Sequence, residues 1–100
     1  METRFDPTGK PLTVPTVHLN GTSKGALLAA YKLAERHLRD ARERLSATYP
    51  NGRDYYNQQS ADAINLAMEQ HRSRMARVNS VLDELQHLIA GVEAQAGGRS

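Results

Sequence analysis

The chain has no cysteine and no tryptophan, and a single phenylalanine among its 100 residues. Without cysteine there is no disulfide, no thiolate chemistry and no cysteine-ligated zinc, which accords with a cytosolic setting. Few large aromatics and a hydrophobic share of 39% leave one small domain a thin core, so self-association is expected. No apolar run reaches the length of a membrane span, and no signal-peptide core follows Met1. The net charge of +2 is too small to argue for nucleic acid by itself. The chain carries no nucleophile beside a base, no H-E-x-x-H pair, no spaced carboxylates on an apolar wall and no cofactor motif. The expectation is a protein that is not an enzyme and that uses neither a metal nor a cofactor.

What the chain does have is helical periodicity. Residues 1–17 carry Pro7, Pro11 and Pro15, with Gly9, Thr8, Thr13 and Thr16 between them, and predict an extended arm. Residues 18–93 predict a helical hairpin, with helices over about 23–48 and 60–90, and 94–100 a flexible tail. Leu27, Tyr31, Ala34, Leu38, Ala41 and Leu45 step by four and three, which is a heptad seam. The second helix repeats the pattern with Ile64, Met68, His71, Met75, Val78, Leu82, Leu85, Ile89 and Val92. Thr22 or Ser23 is expected to cap the first helix and Ser60 the second, Pro50 ends the first, and Gly91 falls at a frayed end.

Read antiparallel, the seams match when paired residue numbers sum to 109, as in Leu38 with His71 and Leu27 with Leu82. Leu85, Ile89 and Val92 then outrun the first helix, and Val17 and Leu19 of the arm fold back to cover them. Leu28, Leu33, Leu66, Val81 and Leu88 lie off the seams and form an expected subunit interface. The fold class that follows is all-α: an antiparallel two-helix coiled-coil hairpin with an extended N-terminal arm, assembled as a helical-bundle homo-oligomer.

Three places are candidates for chemistry. In Tyr49–Gln59, which holds three of the four tyrosines, Asn51-Gly52 marks a tight turn. Tyr55 and Tyr56 offer faces for stacking on a base or sugar, Arg53 a fork for phosphate, and Asn51 and Asp54 polar edges. The competing reading is that these tyrosines simply order the loop. In His18–Gly25, a helix N-terminus offers free N–H groups, with Asn20, Gly21, Thr22 and Lys24 around it. It lacks the P-loop spacing, and a plain capped helix start is the competing reading. His71 is the one polar residue of either seam, and with Arg72 and Arg74 it forms a candidate anion belt, against a plain core histidine beside solvated arginines.

At His18-Leu19-Asn20-Gly21-Thr22, Asn51-Gly52-Arg53-Asp54-Tyr55-Tyr56 and His71-Arg72-x-Arg74, the chain resembles a set of small helical proteins of tailed bacteriophages and prophages. The likeness runs from about Val17 to Leu88. It implies a bacterial host cytoplasm and no mechanism. The expected function is binding of a small phosphorylated ligand by an oligomer, such as a sponge that sequesters a nucleotide second messenger of host defence. The alternative is a helical interaction module that inhibits or scaffolds a host or phage protein. A weak nucleic-acid binder comes third, on the seven Lys and Arg against three acidic residues between Lys24 and Arg53. No membrane partner is expected.

Overall fold

A computed structural model describes residues 3–56 and 62–96. Helix α1 spans Lys24–Ser46 and helix α2 spans Ala63–Glu93, with a short 3-10 turn over Gly52–Asp54 between them. The two helices pack against each other, and the only strand-like pairing among the described residues is one bridge between Phe5 and Pro11. The expected Ser60 cap lies outside the described residues.

Helix α1 starts where Ser23, in extended geometry, accepts the Ala26 N–H on its Oγ at 3.1 Å. That satisfies one of the donors a helix start leaves free. The helix ends as Thr48 Oγ1 donates to the Leu45 carbonyl at 2.7 Å, just before Pro50 stops the backbone from continuing. Helix α2 runs on through Gly91, which is buried inside its last turns rather than frayed.

The α2 seam is as the spacing predicts: each of its nine residues is buried or half-buried. The α1 seam differs. Ala34 and Ala41 are exposed, while Glu35 and Arg42 are half-buried with Leu28, Tyr31, Leu38 and Leu45. A long side chain lays its methylenes along the apolar seam and keeps its head in water, whereas alanine has little area to hide. Glu35 pairs with Arg39 at 3.3 Å, and Arg42 donates to Asn79 Oδ1 at 3.0 Å.

The register also differs from expectation. Contacts across the hairpin join Lys24 to Gln95, Arg42 to Asn79 and Tyr49 to His71, whose numbers sum to 119, 121 and 120. Eleven residues is close to three helical turns, so a slip of that size keeps the same face inward. In this register Leu28, Tyr31, Leu38 and Leu45 stand level with Val92, Ile89, Leu82 and Met75. The consequence is reversed at the ends. Val92 and Ile89 lie beside α1, and it is the first turns of α2, residues 63–73, that overrun it.

The arm is not simply extended. Asp6-Pro7-Thr8-Gly9 forms a tight turn in which Gly9 takes φ +83°, a conformation that favours glycine. Asp6 Oδ1 accepts from Thr8 N, Thr8 Oγ1 and Lys10 N, and the Asp6 and Leu12 amides donate to Lys10 and Arg4 carbonyls. The Thr8 hydroxyl, then the Lys10 amide, hold the Asp6 carboxyl below its usual pKa. The arm then lies along α2. Arg4 meets Asp83 at 2.6 Å, Val14 packs on Gly91, and the Gln95 carboxamide accepts from Val17 N at 2.8 Å and donates to the Pro15 carbonyl at 2.6 Å. The arm does fold onto this part of α2, but Leu19 takes no share and is 75% exposed.

With α1 on one side and the arm on another, α2 supplies the whole described core: Ala67, His71, Leu82, Ile89 and Val92. No residue of α1 is fully buried. The radius of gyration is 18.9 Å, against roughly 13 Å for a compact chain of this length. The molecule is a rod with a narrow core, and Leu33, Leu66 and Val81 stay about half exposed on it.

Candidate functional site

At the turn end, Asn51 accepts the Arg53 N–H on its side-chain oxygen at 2.9 Å and caps the 3-10 turn. This Asx arrangement gives Gly52–Asp54 a defined shape. Gly52 does not take positive φ, contrary to the usual Asn-Gly pattern, because the backbone winds into the 3-10 turn instead. Tyr55 is half-buried, while Arg53, Asp54 and Tyr56 are exposed, Tyr56 to 78%. Tyr49 meets the buried His71 edge-on, with ring centroids 5.3 Å apart and planes at 78°. The turn is therefore a fixed backbone that presents a guanidinium, a carboxylate and a phenol to solvent.

At the other end, Gly21 donates to the His18 carbonyl at 3.2 Å, and the His18 ring lies over Gly21. A Cβ at position 21 would stand 2.7 Å from the ring, so a larger residue there would turn the exposed His18 side chain aside. His18, Asn20 and Thr22 are exposed. Lys24 is engaged within the fold: its Nζ donates to the Gln95 carbonyl at 2.7 Å and the Glu93 carbonyl at 3.1 Å. It neutralises the carbonyl end of α2, where a cation belongs. The start of α1 thus lies beside the negative end of α2, which lowers its pull on an anion.

In the middle of the hairpin, the three residues expected to form an anion belt differ in exposure. His71 is 4% exposed and faces Tyr49 rather than Leu38, while Arg72 and Arg74 are exposed. Its Nδ1 is buried without a hydrogen-bond partner among the described residues. Arg39, Asp40, Arg42, Glu43, Ser46 and Met75 line an open groove of about 560 Å³, in which the charges are mixed. Two of its carboxylate–guanidinium neighbours are already paired, Glu35 with Arg39 and Asp40 with Arg44. No group of three or more metal-ligating side chains converges among the described residues.

Of the residues expected at a subunit interface, Leu33, Leu66 and Val81 are exposed in the single chain, and Leu28 and Leu88 are half-buried. Among the described residues no helix is long and apolar enough to cross a membrane. The structural roles of Tyr49, Gln95 and Asp6 were not visible as motifs, although Asp-Pro-x-Gly is a turn signal in its own right. Comparison with family models, with curated proteins and with solved structures gives no match for this chain.

Proposed function

We propose that the protein is a non-enzymatic homo-oligomer that binds a small phosphorylated ligand between copies. The observation that carries this reading is the division of labour in the turn. Asn51 and Tyr49 suffice to shape and seat it, yet Arg53, Asp54 and Tyr56 are also held there, exposed. Arg53 suits a phosphate in a fork, and the tyrosines suit the face of a base. His18, Asn20 and Thr22 form the complementary group, at the opposite end of α1. That helix is about 35 Å long at 1.5 Å per residue, so one site using both groups draws them from two copies. Lys24 has no part in the site, because it caps α2. In the bacteriophage context that the motifs resemble, such an oligomer acts as a sponge in the host cytoplasm, removing a nucleotide second messenger of host defence.

The test is native mass spectrometry of protein purified gently from bacteria. An oligomer carrying a few hundred extra daltons per site, lost in Arg53→Ala and Tyr56→Ala, is the expected result. Both residues are exposed, so both variants should keep the wild-type unfolding midpoint. A ligand-free wild-type protein overturns the reading.

The exposed Leu33, Leu66 and Val81 favour a second reading, an interaction module that offers these apolar side chains to another protein. There, charged replacements at these three positions abolish partner capture, and Tyr56→Ala does not.

A further inference from the structure

We propose that His71 is the positioning residue of the Asn51–Tyr56 turn, tying it to the overhanging part of α2 through the ring of Tyr49. The proposal rests on reading that turn as the ligand wall. The first turns of α2 run past the end of α1, so α1 cannot cover them. Where the chain leaves α1, the Tyr49–His71 edge contact ties it to the overhanging part of α2. Tyr49 is 51% exposed, so hiding its own surface does not explain the contact.

Residue choice points the same way. The seam places methionine one turn before His71, at Met68, and one turn after it, at Met75. A methionine at 71 would fill the same seam without burying a polar nitrogen. His71 instead buries an Nδ1 that has no partner among the described residues, whereas an apolar side chain would bury no such group. A flat ring is what an edge-on aromatic contact requires, because its geometry fixes direction as well as distance. Two residues after Tyr49, Asn51 sets the 3-10 turn, so the tie at Tyr49 anchors the start of the segment that carries Arg53 and Tyr56.

The experiment compares His71→Met with His71→Phe in the full chain, reading backbone amide exchange by NMR. Arg53, Asp54 and Tyr55 are suitable probes, since each donates to Asn51 or Gly52. In His71→Met, the expected result is an unfolding midpoint at or above wild type, with exchange at these amides faster by roughly two- to tenfold, the worth of one aromatic edge contact. Ligand retained through gentle purification falls by a similar factor. In His71→Phe the ring edge is kept, so exchange and retention return to wild type while the midpoint rises. Unchanged exchange in His71→Met, or equal behaviour of the two variants, overturns the proposal. Exchange is read without ligand, so a wild-type protein that retains nothing sinks the functional reading and leaves this one decided.

Discussion

The two ends of the hairpin are built on different terms. At the end where the arm, the start of α1 and the end of α2 meet, polar groups are engaged with the chain itself. Lys24 caps α2, Gln95 grips the arm backbone on both sides, Glu93 pairs with Lys32 at 3.2 Å, and Gly91 makes room for Val14. At the turn end, one asparagine and one ring contact shape the backbone, and Arg53, Asp54 and Tyr56 remain exposed. The contrast teaches where to look for binding. A group already bonded within the fold must break something to meet a ligand, whereas an exposed group on a fixed backbone loses only its own rotamer freedom.

The contrast breaks most readily at Gly91. A Cβ there would stand 2.7 Å from a Val14 methyl, and valine is stiff at χ1. Gly91→Leu should lower stability by roughly 2–3 kcal/mol despite the better helix propensity. Thermal unfolding followed by circular dichroism measures it, and adding Val14→Ala should recover part of the loss. A neutral Gly91→Leu would mean the arm is only loosely laid on α2.

Gln95→Ala comes next. It removes the partners of the Val17 amide and the Pro15 carbonyl at a part-buried site, for an expected loss of about 1–2 kcal/mol in urea unfolding. Proteolysis should then cut the arm first. At the turn end, Asn51→Ala should remove about 0.5–1 kcal/mol, confined to residues 51–55 in the amide spectrum. A global loss as large as that of Gln95→Ala would erase the distinction between the ends.

The smallest effect sharpens the arm itself. The folded pKa of Asp6 lies below its ordinary value of 3.8. The carboxylate bonds to Thr8 and Lys10 are therefore fully in force above 3.8 and are lost as pH falls through the lower folded value. Protection of the Thr8 and Lys10 amides should follow that course, with the α1–α2 contacts unchanged over the first part of the descent.

Both helices and the entire α2 seam were legible in the heptad spacing, because α2 meets chain on more than one side and each seam residue is covered. The α1 seam was only partly legible. Alanine at 34 and 41 reads as apolar yet has little area to bury, and the stems of Glu35 and Arg42 cover the groove better. The register was not legible at all, since an eleven-residue slip returns the same face to the partner. What selects it is the latch of Lys24 and Gln95 and the seat of Tyr49 on His71. Neither has a sequence signature. The Asp6 turn had one, masked by counting its proline as a mark of extension. Both end motifs of the candidate site were readable, as was their separation. That Lys24 belongs to the fold, and His71 to the turn, required three dimensions.

The arm has a temporal consequence. Its hydrogen-bonding partners on α2 and just beyond it lie 78 to 80 positions further along the chain, so during synthesis they emerge long after it. Helices form within their own segment, but closing a loop of that length waits for the distant partner and loses chain entropy first. The clasp of Gln95 on Pro15 and Val17 therefore cannot close until residue 95 has been made, and the Pro15–Val17 stretch waits until then for this partner.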